Sequence, residues 1–173
     1  MYVLKRVSGE ALALTREHDA IALPRKGRVD WAAFDTATFA ATVLDRAAVN
    51  WEIRAVQEMH SLALFTEIST HLHLLGAPLD WSGAFARMIA DEVRHTDLCL
   101  RMCDTLGRPA APEVNPAALH RLGAESSRAR VRHMIVAAFC IGETISGRMF
   151  RRALRAAEVP LAREVVGDRK SVV

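Results

Sequence analysis

The stretch SGAFARMIADEVRHTDLCLRM, residues 82–102, has the apolar spacing of a buried helix, yet it carries an acid and a histidine on its apolar side. Phe85 and Leu98 belong to a row of large apolar residues at helical intervals, which predicts one buried face. Glu92 and His95 lie on the same face, because residues three apart on a helix are neighbours. A buried carboxylate without a partner is strongly unfavourable, so these two side chains need other side chains or a cation around them.

Two further long helical patterns flank this stretch. The first begins at Asp35 or Thr36, either of which can cap it, and ends at Leu75 before Gly76-Ala77-Pro78. The short turn makes the first and second helices antiparallel. The predicted helices cover residues 36–75, 80–106, 116–123 and 125–157, with Asp80 as the cap of the second.

Three prolines within the segment GRPAAPEVNPA, residues 107–117, mark a long connection between the second and third long helices. Pro160 opens a last segment in which Gly167 and the charged residues after it weaken the helical pattern. We therefore predict an all-α fold: an antiparallel helical bundle with one long crossover and a truncated or atypical fourth helix. Residues 1–34 form an irregular lead-in with one short strand or helix, and residues 35–173 form the bundle domain.

Bulk properties narrow the function. The chain has 173 residues, enough for one sizeable core, and a net charge of only +3 without a long basic run, which argues against nucleic acid as a partner. The sequence contains no apolar run of 18 residues and no signal-peptide pattern, so no membrane partner is expected. Cys99, Cys103 and Cys140 lie in apolar helical stretches, which predicts reduced, buried thiols in the cytoplasm.

Each of the other long helices also carries an acid on its apolar face. Glu58 lies on the side of the first helix that presents Trp51 and Phe65. Glu143 interrupts the apolar row of the third helix. That row consists of Ile135, Val136, Phe139, Phe150 and Leu154. Three glutamates and a histidine cannot readily satisfy one another, whereas a divalent metal would satisfy all four, and this ligand set suits iron or manganese.

Every one of these residues also has an ordinary interpretation. A lone Glu-x-x-His is a weak signal, Glu58 alone is compatible with a half-exposed position, and Glu143 alone could pair with Arg54. Convergence from three helices favours the metal. Glu67 lies off the apolar face and is the weaker ligand candidate. The remaining histidines show no convergence and are expected at the surface or in ordinary hydrogen bonds; they are His60, His71, His73, His120 and His133.

Three stretches carry a resemblance to the bacterial ferritin-like superfamily. They are EMHSLALFTEISTHLHLLGAP (58–78), ARMIADEVRHTDLCLRMCDTLG (86–107) and FCIGETISGRMFRRALRAAEVP (139–160), with the GAP turn, the DExRH motif and GET in combination. The N-terminal 35 residues lie outside the resemblance.

The resemblance implies a di-iron site. Glu58 would be a terminal ligand, Glu92 would bridge the two ions, His95 would bind the first, and Glu143 would be a terminal or bridging ligand. Asp91 and Arg94 match the part of the motif that orients the ligands. Related proteins oxidise ferrous iron, reduce peroxides, or activate dioxygen toward organic substrates.

The chain departs from the family pattern at its C-terminus. A second DExxH is expected near residues 170–173, where the sequence is KSVV. Either the natural chain continues further, or the gene is truncated or shifted in frame, or a partner chain completes the bundle and the site. The last two cases predict a homodimer, because an incomplete bundle exposes an apolar groove.

Two functions follow as hypotheses. The first is a non-haem iron or manganese protein, with two ions or one, that performs oxidoreductase chemistry on dioxygen or peroxide unless loss of the second ExxH has inactivated it. The alternative is a metal-free helical interaction or structural protein that dimerises through the exposed face of the bundle. Neither the substrate nor the choice between iron and manganese follows from the residues.

Overall fold

The computed structural model describes residues 1–4, 18, 20–21, 29–119 and 125–170. Its regular elements in chain order are strand β1 (Tyr2–Val3), 3-10 turns at Trp31–Ala33 and Thr36–Thr38, helix α1 (Ala41–Leu74), helix α2 (Leu79–Thr105), strand β2 (Glu113–Val114), helix α3 (Pro116–Leu119), helix α4 (Ser127–Ile135), a π-helical segment (Val136–Gly142), helix α5 (Glu143–Ala156) and helix α6 (Pro160–Lys170). The predicted all-α class is confirmed, since a two-residue antiparallel pair between β1 and β2 is the strand content of the described residues.

Parts of three predictions lie outside the described residues. They concern most of the lead-in, the second half of the predicted short helix together with His120, and the last three residues of the chain. Within the described part, no helix has the length and apolar content needed to cross a membrane.

Helices α1 and α2 form the antiparallel hairpin expected from the turn. Gly76 follows the end of α1 with a positive φ of 70°, a conformation that favours glycine, and its N–H donates to the His73 carbonyl at 3.0 Å. The N–H of Ala77 donates to the Leu72 carbonyl, which completes a Schellman motif. Gly107 ends α2 in the same way, so both predicted helix ends are where the glycines indicated.

The predicted start of the first helix is wrong. Asp35 does act as a cap, but it accepts a hydrogen bond from the Ala37 N–H within a 3-10 turn. The backbone then becomes extended at Phe39 and Ala40, and α1 begins at Ala41 without a side-chain cap. The start of the second helix is also shifted, because Pro78 occupies the cap position and Asp80 lies in the first turn, where its charge favours the helix dipole.

The segment from α4 to α5 runs along α1 in the opposite direction, as hydrogen bonds of His71 to Ser127 and of Arg130 to Glu67 show. The third long helix is therefore present, but its middle is π-helical and not α-helical. Helix α6 is short, with 11 residues, and its Leu161 and Val165 are buried against α1 and α2.

The core has two apolar clusters, one toward each end of the α1–α2 hairpin. One contains Trp51, Ala55 and Leu98 together with the buried face of α6. The other contains Phe65, Ile68, Phe85 and Met134, with Phe139 of the π-helical segment packed against it. Along α1, Glu58 lies between the two clusters, so the polar site is enclosed by apolar packing on both sides.

Candidate metal centre

Helices α1 and α2 bring three of the four predicted ligands together. Glu58, Glu92 and His95 are 8%, 7% and 4% exposed, and each offers one ligand atom within 4.8 Å of the others. Glu92 and His95 come from one face of α2 because they are three residues apart, and Glu58 faces them because the hairpin is antiparallel. Between Asp91 and Cys103, α2 is buried almost all round, which keeps the cluster away from bulk water.

The spacing of the ligand atoms suits one ion. His95 Nδ1 lies 3.5 Å from Glu58 Oε2 and 3.7 Å from Glu92 Oε2. With metal–ligand bonds of about 2.1 Å, two atoms at these separations subtend angles of about 110–125° at a shared ion. The same separations are longer than the 2.7–2.9 Å or so of a charge-assisted hydrogen bond, so the imidazole does not hold the two carboxylates by hydrogen bonding.

Two buried polar atoms of the cluster lack a hydrogen-bond partner among the described residues. They are Glu92 Oε2 and His95 Nε2. Buried carboxylate oxygens and ring nitrogens nearly always make a hydrogen bond, because a buried polar group without one has lost its hydration and gained nothing in return. The unsatisfied Glu92 oxygen therefore fits a bound cation, which would accept its lone pair and that of the His95 Nδ1 that faces it.

Glu143 lies at the edge of the cluster and does not belong to the set of three. It is the first residue of α5, and its backbone N–H donates to the carbonyl of Ala138, five residues earlier, as a π turn requires. Burial raises the pKa of its carboxyl, and the nearby Glu92 charge raises it further, while a hydrogen bond from Ser146 and the His95 ring lower it. The side chain is half-buried and within electrostatic reach of Glu92, so it can approach a bound ion as a further ligand.

Asp91 and Arg94 form a buried ion pair with each other. Arg94 Nη1 donates to Asp91 Oδ1 at 2.8 Å, and Arg94 Nε donates to the Ile21 carbonyl at 3.1 Å. These contacts tie α2 to the N-terminal region. Their predicted role in orienting the ligands stays a prediction.

A cavity of about 640 Å³ opens beside the three ligands, between α1, α2 and the π-helical segment with α5. Glu58, Glu92, His95 and Glu143 all line it. The rest of its wall is mostly apolar and includes Phe65, Met88, Phe139, Ile145, Met149 and Phe150. This volume is in the range of small-molecule sites, so a bound ion would face a space that can admit an organic ligand.

The other candidate residues have ordinary partners or surface positions. Glu67 accepts hydrogen bonds from Arg130 at 2.7 Å. His71 bonds to Ser127, and His73 bonds to Ser82 at 2.8 Å. His60 and His133 lie at the surface.

Two expectations about apolar helical positions are wrong. Cys99 and Cys103 are buried as predicted, and burial raises the pKa of both thiols, that of Cys103 to about 11. Cys140, however, is exposed, and Val136 is 47% exposed. Both belong to the π-helical segment, whose wider turns move residues out of the register that an α-helix would give them.

Arg54, predicted solely as a possible partner for Glu143, lies in the cavity wall. Its guanidinium carbon lies 5.8 Å from the ring centroid of Trp51 and 5.5 Å from that of Phe150. Asp97, which was not among the predicted site residues, is a buried acid that accepts a hydrogen bond from Arg101 and lies 3.3 Å from His18 Nε2. Its spacing of four from Arg101 was the signal that could have identified the pair.

Comparisons with protein-family models, with curated proteins and with solved structures find no match to this chain. The geometry and chemistry of the site are therefore the evidence for the function.

Proposed function

We propose that this chain binds iron or manganese through Glu58, Glu92 and His95, with Glu143 as a further ligand. The observation that carries the proposal is a buried carboxylate oxygen, Glu92 Oε2, which has no hydrogen-bond donor among the described residues and lies 3.7 Å from the ring nitrogen of His95. The mixed carboxylate and imidazole donor set suits these metals better than the thiolate-preferring ones.

The described ligands suffice for one ion. Three or four protein ligands leave positions open on an ion that prefers six, and open positions are where dioxygen, peroxide or substrate bind in redox enzymes. A second ion, as in the di-iron proteins of the ferritin-like superfamily, would need further carboxylates. We accordingly favour a site for one ion over a complete di-iron centre.

The reaction class that best suits this site is oxidoreductase chemistry on dioxygen or peroxide. A bound iron or manganese ion would donate or accept the electrons of the reaction, because the carboxylate and imidazole ligands are not themselves redox-active. The protein contributes the anionic ligands, the exclusion of water by the two apolar clusters, and a cavity next to the ligands. Membership of the ferritin-like superfamily belongs to the same proposal and is supported by the three sequence stretches and by the helical hairpin.

Two further parts of the proposal concern the surroundings of the chain. A homodimer is supported by Ile141, Ile145 and Met149, apolar side chains at intervals of four residues that are 55–59% exposed. A cytoplasmic location is supported by Cys99 and Cys103, whose thiols lie four residues apart without a disulfide.

Metal content tests the main proposal. The purified chain is incubated with ferrous or manganous ion, passed through a desalting column and measured by elemental analysis. We expect about one ion per chain for the wild type and almost none for Glu92→Gln, which keeps the shape of the side chain but removes the charge. Glu164→Gln, at an exposed position of α6, is the matched control and should retain the metal.

The competing function is a metal-free helical interaction protein in which Glu58 and Glu92 pair with His95 in place of a metal. In that case the wild type would hold no more metal than Glu92→Gln after desalting, and this result would refute the metal proposal.

A further inference from the structure

The cavity beside the candidate metal centre contains one guanidinium group. Among the described residues that line it, Arg54 is the one with a permanent positive charge. Its observed contacts are with the rings of Trp51 and Phe150, and within the described part of the chain no carboxylate forms an ion pair with it. An aromatic ring attracts the positive charge of a guanidinium but does not accept hydrogen bonds from its N–H groups. The N–H donors of Arg54 therefore remain available to a ligand.

The two ends of the cavity differ in charge and polarity. The π-helical segment and α5 run antiparallel to α1 along it. Arg54 faces Phe150 at one end, Glu58 and Glu143 line the part between, and Phe65 stacks on Phe139 at the other end with their ring centroids 5.5 Å apart. At a rise of 1.5 Å per residue, Arg54 lies about 6 Å along α1 from Glu58, and Phe65 lies about 10 Å beyond Glu58. The cavity is therefore cationic at one end, carries the candidate ligands in its middle and is apolar at the far end.

We propose that this cavity binds a small organic acid with an elongated apolar body. The carboxylate accepts hydrogen bonds from Arg54, and the body extends past the ligands toward Phe65 and Phe139. The planar guanidinium matches a carboxylate geometrically, and charge-assisted bonds of this kind are stronger than neutral ones. The two aromatic rings already hold the Arg54 side chain, so binding a ligand orders it little further.

The position of the ligand has a consequence that rests on the proposed metal function. A carbon in the middle of the ligand's chain lies next to the candidate metal ligands, because Glu58 lies between Arg54 and Phe65 along α1 and all three line the cavity. If the metal is present, peroxide would be the oxidant at that carbon: the C–H bond and the peroxide O–O bond would break, a hydroxyl group would form on the carbon, and the second peroxide oxygen would leave as water. Binding of the acid itself does not depend on this step.

Calorimetric titration of the full chain in the presence of Mn²⁺ tests the proposal with three probes of equal length. The probes are octanoate, octanamide and octylamine. We expect octanoate to bind about tenfold or more tightly than octanamide, as a charge-assisted hydrogen bond implies. Arg54→Gln should abolish this preference and leave octanamide binding unchanged, whereas Arg54→Lys should keep most of it. Arg148→Gln, an exposed arginine on α5 outside the cavity wall, is the control and should behave as the wild type.

Three results would overturn the inference: equal affinities for octanoate and octanamide in the wild type, an unchanged preference in Arg54→Gln, or tighter binding of octylamine, which would mean that the glutamates select the ligand. If Arg54→Gln does not fold, Arg54→Met keeps the apolar stem between the rings and supplies the same comparison.

Elemental analysis of the same samples separates the two proposals. Octanoate preference without bound metal supports the acid site and contradicts the metal proposal. Bound metal without octanoate preference supports the metal proposal and contradicts the acid site.

Discussion

Replacing Glu92 by glutamine should change the stability of this protein in opposite directions with and without metal. In the metal-free chain, Glu92 is 7% exposed and its Oε2 has no hydrogen-bond donor among the described residues. An unsatisfied buried group of this kind costs about 1–3 kcal/mol, and more when it is charged. Glutamine removes the charge and adds an amide that can donate to the Glu58 carboxylate. The free energy of unfolding of metal-free Glu92→Gln should therefore equal or exceed that of the metal-free wild type.

With metal, the order should reverse. A ligand that binds the folded state alone stabilises it by about 2.7 kcal/mol when its free concentration is a hundred times Kd. For a domain of this size, each kcal/mol raises Tm by about 2–4 °C, so the wild type should gain about 5–11 °C. Glu92→Gln should gain almost nothing, because one of its three closely grouped ligands no longer carries a negative charge.

Thermal melts recorded in EDTA and then in excess Mn²⁺ measure both effects in one experiment. Glu164→Gln, on the exposed face of α6, controls for the loss of a surface carboxylate and should follow the wild type in both conditions. An equal excess of Mg²⁺ controls for weak electrostatic binding. A lower Tm for Glu92→Gln in EDTA, together with no Mn²⁺ shift in the wild type, would show that the cluster is an internal ion pair and would refute the reasoning.

Three further predictions concern the core, the thiols and the surface. Ile68→Ala should lower the free energy of unfolding by about 2–5 kcal/mol in urea titrations, because Ile68 is fully buried and the space it leaves cannot refill completely; a loss below about 1 kcal/mol would contradict the packing described. Native protein should expose one thiol to Ellman's reagent and unfolded protein three, because Cys140 is exposed whereas burial hinders ionisation of Cys99 and Cys103; rapid modification of all three in the native state would be inconsistent with this burial. Ile145→Glu should convert a dimer to a monomer in light-scattering measurements if α5 forms the subunit contact, and a wild type that is already monomeric would refute the homodimer.

The ends of the α1–α2 hairpin were predictable because they depend on local chemistry. Gly76 and Gly107 adopt the positive φ that a helix end requires, and little in the rest of the fold can change that preference. The start of α1 was not predictable in the same way. Asp35 has the side chain of a helix cap, and it serves as one, but whether the capped turn continues into a long helix depends on residues that follow it and on packing.

The π-helical segment shows where periodicity fails. Residues 136–142, VAAFCIG, contain an ordinary α-helical apolar spacing, and on that spacing Val136 was expected to be buried. The structure instead widens the turns here, and Phe139 stacks against Phe65 while Glu143 reaches the edge of the cluster. This arrangement depends on contacts with α1 and α2, which are distant in sequence and leave no local signal.

The site itself was predicted in part. Glu58, Glu92 and His95 stood out because charged residues on apolar faces are rare, and the structure brings their ligand atoms within 4.8 Å of one another. Arg54 did not stand out in that way, since an arginine on a long helix is normally a surface residue. Its position in the cavity wall depends on contact with the ring of Phe150, which is nearly 100 residues away in sequence. Phe150 lies on α5, directly after the π-helical segment.

The charges around the cavity connect the two proposals. Glu58, Glu92 and Glu143 bring three carboxylates to one space, and the permanent positive charge that faces them from the described residues is that of Arg54. Without a cation, these carboxylates would weaken the binding of an organic acid, because Arg54 would compensate only a third of their charge. A divalent ion in the cluster would remove most of the excess negative charge and would leave Arg54 to bind an anion from outside.

The metal and the acid should therefore bind cooperatively. Octanoate should bind more tightly after Mn²⁺ is added than in EDTA, and by thermodynamic linkage octanoate should tighten Mn²⁺ binding by the same factor. Calorimetric titrations in both orders measure the two factors, and an octanoate affinity that Mn²⁺ leaves unchanged would show that the two sites are electrostatically independent.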